Sequence, residues 1–432
     1  MTQFPEPQRC CNCVSALGKV RVVSVFSSGR LARFAHVEPT EPDHAVTPLE
    51  LLFDLVFVFA VTQVTALMAH ELGWRGALRG LVVLALLWWA WCSYAWLGNQ
   101  ARADEGLVRT GMIVAMAALL LVALAIPEAW GGHGEHHLNV ALLLAVALGV
   151  VRLGHLTVYW IAAGDDSGLR RQLGRTAVPV AAAIALLVAG ALVGGAGQTV
   201  LWLLALAVDY TGIYVAGSDW RLPAPGHFAE RHGLIVLIAL GESLVAIGVG
   251  INDLPLTVPL VGMALLGLAV TVALWWAYFD VVATVAESVL HRQSGNARVR
   301  LARDSYTYLH FPMVAGIIYL ALGLKKVAEY VADTEHHTLS DPLPTTARWA
   351  LFGGIAAYLV AHLAFRYRNT GSLNRGRAVT AGLLLLAGVI GAALPALAAL
   401  GVAAALVVAM IAYEVVRFAD ARAAIRHHQK PA

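Results

Sequence analysis

Residues 47–64 read TPLELLFDLVFVFAVTQV, and this segment sets the class of protein to which the chain belongs. Its apolar residues continue toward residue 71, and about 20 apolar residues suffice to cross roughly 30 Å of hydrocarbon as a helix. Comparable runs recur at 49–71, 78–99, 108–127, 138–162, 176–194, 199–217, 231–250, 257–282, 305–324, 348–366, 378–394 and 396–416. The sequence therefore predicts an all-α integral membrane protein with about twelve transmembrane helices.

The composition excludes a soluble domain. Of 432 residues, 59% are hydrophobic and 13% are charged, whereas soluble domains carry about 25% charged residues. The net charge of +3 is spread over short loops, so membrane lipids are expected partners and nucleic acid is not. Two breaks between runs are short, GGAGQ at 194–198 and Pro395, and eleven helices therefore remain an alternative to twelve.

The basic residues indicate how the chain is oriented. Most lysines and arginines fall in the loops and tails on one side, which the positive-inside rule assigns to the cytoplasm together with both termini. Residues 1–44 show no hydrophobic period and are predicted to form a flexible cytoplasmic tail, and 419–432 a second one. The CCNC motif at 10–13 lacks a second pair of ligands, so we expect free thiols there instead of a metal site.

The two parts of the chain, 45–220 and 221–418, carry similar motifs in the same order. The matches are Glu50 with Glu230, Trp88-Trp89 with Trp275-Trp276, Arg109 with Arg303, Gly174-Arg175 with Gly376-Arg377, and ALAVDY with MIAYEV. Their separation grows from 180 residues to about 205, as small loop insertions in a duplicated copy would produce. We predict a tandem parallel repeat of six helices each, with a pseudo-two-fold axis along the membrane normal.

Acidic residues within the first run are the first candidate functional positions. An ionisable group near the bilayer centre costs at least about 2.5–3.5 kcal/mol, so each should be paired, hydrated or functional. Glu50 and Asp54 are four residues apart and share one helix face. Glu50 is open to a second interpretation, as an acid favoured by the helix N-terminus. Asp54 lies deeper and requires a partner, either an arginine of a neighbouring helix or a coupled ion.

Glu242 is the deepest candidate, since it follows Glu230 by twelve residues and therefore lies about 18 Å further along its helix. It is either a buried acid paired with Arg152 or a histidine, or an acid that handles protons or cations. Arg152, Asp209 and His310 also fall within predicted spans, and pairing within the bundle is the simpler interpretation of most of them. His310 has a stronger claim, because histidine titrates near neutral pH.

Other chemistry is less favoured. The predicted outer loops contain GGHGEHH (131–137) and TEHHTLSD (334–341), whose imidazole and carboxylate groups could bind zinc, although loop histidines are more often simply hydrated. We predict no metal site and no cofactor. No P-loop, GxSxG or serine–histidine–acid pattern is present, so no catalytic residues are predicted and an enzyme is the less favoured class.

The chain resembles the bacterial low temperature requirement protein A family over most of its length. The resemblance rests on TPLELLFDLVFVFAVTQV, WWAW with YAWLGN, AIPEAWG, FAERHGLIVLIALGES, ALWWAYF and TYLHFPMVAGIIY. It implies a multi-pass protein of the bacterial cytoplasmic (inner) membrane, linked by name to growth in the cold, and it supplies no catalytic residues. Its motifs include Glu50, Asp54, Glu230, Glu242 and His310, while the long tail with CCNC departs from the family's usual short start.

Three functions are compatible with these features. The first is a proton- or cation-coupled secondary transporter or permease, which the repeat and the membrane acids favour. The second is a membrane-embedded enzyme or lipid-modifying factor that supports growth in the cold. The third is a purely structural role in an assembly. The sequence identifies neither a substrate nor an oligomeric state.

Overall fold

The computed structural model describes residues 37–131, 138–250 and 255–419. Within these ranges the protein is helical, with twelve helical segments long and apolar enough to cross a membrane. The helices are α1 Pro48–His70, α2 Trp74–Gln100, α3 Gly106–Ala125, α4 Val140–Ala162, α5 Ser167–Val193, α6 Gly195–Ala216, α7 Pro225–Gly250, α8 Val258–Phe279, α9 Val282–Arg292, α10 Gly295–Leu301, α11 His310–Ala332, α12 Thr345–Thr370, α13 Arg375–Ile390 and α14 Ala396–Arg417. The CCNC motif and the histidines of GGHGEHH lie outside the described residues.

The helix ends follow from local sequence. Thr47 caps α1 in a capping box with Glu50, and Pro48 occupies the first turn, where a missing N–H costs nothing. The short break before α6 is a turn at Gly194 and Gly195, whose φ angles of 73° and 56° favour glycine. Pro395 precedes the first residue of α14. Both short breaks separate distinct helices, so the described residues contain twelve candidate membrane spans and not eleven.

Hydropathy underestimated the length of three helices, because these helices continue beyond their apolar segments. The span predicted at 305–324 covers Gly295–Ala332 and the one at 257–282 covers Val258–Arg292, the former through a π-helical segment at Ala302–Tyr308 that joins α10 to α11. α7 begins at Pro225 instead of 231. Polar residues continue these helices, and hydropathy alone does not register them.

The neighbours of each helix follow the same order in both parts of the chain. α1 packs against α2 and α3, after which α3, α4, α5 and α6 pack consecutively. α7 packs against α8 and α11, after which α11, α12, α13 and α14 pack consecutively. The two parts meet where α1 contacts α7 and α11. This packing brings α1 and α7, the first helix of each part, into direct contact.

Glycines bring α11 and α12 closest together. A Cβ added at Gly316 would lie 2.6 Å from the carbonyl oxygen of Gly354, and one at Gly354 would lie 2.7 Å from that of Gly316. Small residues at such positions let helix backbones approach and pack tightly in a membrane. α11, which also contacts α1 and α7, therefore packs tightly against α12.

Candidate functional site

A buried ion-pair network joins α1 to α7. Arg231 of α7 is fully buried, and its guanidinium donates to Glu50 Oε1 and to Asp54 Oδ1, each at 2.7 Å. Because Glu50 and Asp54 are four residues apart, they present both carboxylates to the same neighbouring helix. Arg231 is therefore the arginine that the burial of Asp54 requires.

Two further side chains complete this group. His227 Nε2 lies 3.1 Å from both oxygens of Glu50, and the indole N–H of Trp91 donates to Asp54 Oδ1 at 2.8 Å. The Arg231 guanidinium also lies 5.6 Å from the centre of the Trp91 ring, which adds a cation–π contact. We call Glu50, Asp54, Trp91, His227 and Arg231 the Arg231 cluster. Two carboxylates share one arginine in it, so one negative charge is unbalanced unless the cluster holds an additional proton.

Glu242 lies on the same helix, beyond the cluster, and its surroundings differ. The residue is 2% exposed, and the hydroxyl of Thr62 on α1 donates to its Oε2 at 2.6 Å. The hydroxyl of Thr65 lies nearby, and Lys325 of α11 acts on the carboxylate only from a distance. None of the ion pairs within the described ranges includes Glu242.

The other acids buried deep in the bundle have arginine partners. Asp209 of α6 accepts from Arg152 of α4 at 2.9 Å on both oxygens. Glu414 of α14 accepts from Arg377 of α13 at 2.7 Å on both oxygens. Arg152 also donates to the hydroxyl of Ser93. The interpretation in which Arg152 pairs with Glu242 is therefore wrong, because Asp209 occupies that guanidinium.

His310 has a complete set of hydrogen bonds. Its Nδ1 lies 3.0 Å from the carbonyl oxygen of Ser305, and its Nε2 lies 2.8 Å from the hydroxyl of Tyr278. A neutral ring with the proton on Nδ1 satisfies both contacts. The carbonyl partner belongs to the π-helical segment, five residues earlier, so His310 anchors that irregular turn.

Glu230 lies apart from the buried acids. Its side chain is exposed at the end of the bundle where α1 and α7 begin, and its Oε2 accepts from the backbone N–H of Val46 at 3.3 Å. It lines a cleft of about 570 Å³. The predicted site residues therefore divide: Glu50 and Asp54 form one cluster, Glu242 lies further along α7, and Arg152 with Asp209 lies within the first six helices.

The histidines of the second loop contact neighbouring acids. His336 Nδ1 lies 3.0 Å from Asp333, and this hydrogen bond raises the pKa of His336. His337 lies 3.8 Å from Asp341. Across the described parts of the chain, no three histidine, cysteine, aspartate or glutamate side chains form a group able to hold a metal ion.

Sequence reasoning did not identify Arg231, His227, Trp91 or Thr62 as site residues. A signal was present for two of them, because His227 and Arg231 repeat on α7 the four-residue spacing of Glu50 and Asp54 on α1. Such matched spacings on two helices predict facing polar stripes. Which helices face each other, however, is not encoded in either segment alone.

Comparisons with known proteins identify the family of the chain. The family model described as "Bacterial low temperature requirement A protein" matches residues 45–412. A relative from Rhizobium meliloti (strain 1021), "Uncharacterized protein RA0937", is 30% identical over 301 residues, which cover 66% of this chain and 70% of the relative. No solved structure matches the chain significantly. The family match includes every helix from α1 to α13 and most of α14.

Proposed function

The chain belongs to the bacterial low temperature requirement A family, and we propose that it is a proton- or cation-coupled secondary transporter or permease in which Glu242 carries the coupled ion. The observation that carries the proposal is that no ion pair among the described residues includes Glu242, whereas Asp54, Asp209 and Glu414 each contact an arginine. A carboxylate fixed by an arginine holds its charge. One held by a hydroxyl can take up and release a proton or a cation.

The position of Glu242 supports this role. Thr62 and Glu242 are 180 residues apart, the same separation as Glu50 and Glu230, so they are equivalent positions in the predicted repeat. They also contact each other at 2.6 Å. Two equivalent positions can touch only close to the axis that relates the copies. Glu242 would then lie between two halves whose relative motion exposes a central site to each side in turn.

The ligands around Glu242 suit a proton or a monovalent cation. A hydroxyl donates to a carboxylate and accepts from a carboxylic acid, so Thr62 can stay bonded in both protonation states. The Arg231 cluster lies closer to the N-terminal end of α7 than Glu242 does, and it holds α1 and α7 together near their first turns. In the proposed mechanism the cluster is the fixed contact, and the α1–α7 interface around Glu242 opens and closes.

Ion flux in liposomes tests the proposal. Purified protein is reconstituted with an entrapped pH-sensitive dye, and the decay of an imposed pH gradient is measured with and without K⁺ or Na⁺. We expect Glu242→Gln to slow the decay at least tenfold. Glu71→Gln is the matched control, because Glu71 follows α1 and pairs with Arg79 at 2.6 Å near the surface. A wild-type protein that shows neither ion flux nor pH-gradient-driven uptake with any solute of a broad panel, or a Glu242→Gln variant with unchanged flux, would reject the proposal.

The alternative of a membrane-embedded enzyme or lipid-modifying factor makes a different prediction. Cells that lack the protein should then change their lipid composition when grown in the cold, and complementation should reverse the change. Under the transport proposal the two strains have the same lipids, while only the complemented strain carries the ion flux.

A further inference from the structure

A cleft of about 570 Å³ lies between α7 and α9 beside the Arg231 cluster. His227, Glu230 and Leu234 line it from one face of α7, and Glu287 lines it from α9. Residues 42–45 form a third side. The volume falls within the range of about 300–1,000 Å³ that is typical of small-molecule sites. We call it the α7–α9 cleft.

Three carboxylates and three histidines line the α7–α9 cleft, and one of the histidines, His291, lies 3.7 Å from Glu287. Glu230 and Glu287 both line it, and their carboxylates are close enough to interact with each other. Asp43 contributes a third carboxylate from the preceding segment. Among the described residues that line the cleft, none is lysine or arginine. Like charges that face one cavity attract a cation into it.

Two buried polar atoms point to a ligand that donates hydrogen bonds. Tyr306 lines the cleft, is 1% exposed, and its hydroxyl has no hydrogen-bond partner among the described residues. The same holds for Nδ1 of His227, which is 2% exposed. Nε2 of His227 faces the Glu50 carboxylate and is the nitrogen that donates to it. In the neutral form of the ring, Nδ1 is then an acceptor.

The remaining wall is aromatic. Tyr278, Phe279 and Tyr306 line the same cavity. Aromatic faces attract organic cations, and the attraction is strongest for ammonium groups removed from water. A metal ion fits less well, because the cavity is far larger than a bare ion and no three metal-binding side chains gather in the described residues.

We propose that the α7–α9 cleft binds a small organic ammonium cation. Its N–H groups contact Glu230, Glu287 and the acceptors of His227 and Tyr306, while its carbon skeleton packs against the rings. This site is separate from Glu242. Ammonium binding in the cleft does not depend on whether Glu242 carries an ion.

Isothermal titration calorimetry on the detergent-purified protein tests this inference. The probe is phenethylammonium chloride, and 2-phenylethanol is the uncharged analogue of the same shape. We expect binding of the ammonium compound and none of the alcohol. Glu230→Gln and Glu287→Gln should each weaken binding at least tenfold, since both acids are solvent-accessible and their loss should not disturb folding.

Matched controls distinguish this site from a general charge effect. Asp165→Asn removes an exposed acid from the same end of the bundle and should leave binding unchanged, as should Glu242→Gln. Tyr306→Phe should weaken binding severalfold. Absence of binding by the wild type would overturn the inference. So would equal binding of 2-phenylethanol, wild-type affinity in Glu230→Gln and Glu287→Gln, or displacement of the probe by an equal concentration of MgCl₂.

Discussion

Replacing Arg231 by methionine would leave two carboxylates facing each other inside the bundle without a cation. Glu50 and Asp54 are 1% and 0% exposed, so neither can turn to water without opening the α1–α7 contact. Glu50 keeps His227 and its place in the helix cap, whereas Asp54 keeps only the N–H of Trp91. Asp54 is therefore the carboxylate that the substitution destabilises most.

Two independent estimates of the cost agree. Removing one partner from a buried ion pair costs about 3–5 kcal/mol, and here one arginine serves two carboxylates. Alternatively, one carboxyl of ordinary acidity takes up a proton at pH 7, which costs about 4 kcal/mol. Since native proteins are stable by only about 5–15 kcal/mol, we expect Arg231→Met to remove a large part of the free energy of unfolding.

Unfolding in detergent micelles by increasing SDS, followed by tryptophan fluorescence, measures this loss. Adding Asp54→Asn to Arg231→Met should restore about 2 kcal/mol, because it removes the stranded charge. Arg231→Lys should lose less than Arg231→Met, since it keeps the charge but cannot bridge both acids in one plane. Unchanged stability in Arg231→Met, or a further loss on adding Asp54→Asn, would refute the reasoning.

Two further substitutions probe the other contacts. Thr62→Val removes the hydroxyl that donates to Glu242 at 2.6 Å; because a hydrogen bond to a charged group contributes about 1.5–3 kcal/mol, we expect ion flux in liposomes to slow about tenfold, with Thr62→Ser close to wild type. Gly316→Ala would place a Cβ 2.6 Å from the carbonyl oxygen of Gly354 and should destabilise the protein by about 1–3 kcal/mol in the SDS assay. Gly353→Ala, whose Cβ would meet only a side-chain atom at 3.4 Å, should cost almost nothing.

Hydropathy predicted the number and order of the membrane helices because each crossing requires a long apolar run. It failed at α9 and at the π-helical segment, where the helix contains too many polar residues to be recognised from apolar content. For the same reason, hydropathy did not identify Arg231 as a buried residue of α7. The predicted helix began at 231 and therefore placed Arg231 at its very end, whereas α7 begins at Pro225 and buries that side chain completely.

The candidate site was predictable in part. The cost of burying Asp54 and Glu242 identified both positions from the sequence, and the requirement for a partner at Asp54 followed from its depth. The identity of each partner did not follow. Arg231 and Thr62 reach their acids across about 180 residues of chain, and one sequence does not reveal which helices become neighbours. The sequence therefore could not show that Asp54 is paired while Glu242 is not.

The rate at which reconstituted protein dissipates an imposed pH gradient, compared between wild type and Glu242→Gln, tests the central claim most directly. The unfolding midpoints in SDS are recorded for the same preparations. We predict that Glu242→Gln loses at least nine tenths of the flux and unfolds close to the wild-type midpoint, because no described ion pair includes Glu242 and the glutamine amide oxygen can still accept from Thr62. A folded Glu242→Gln variant that dissipates the gradient at the wild-type rate would contradict the assignment of Glu242 as the ion-carrying acid.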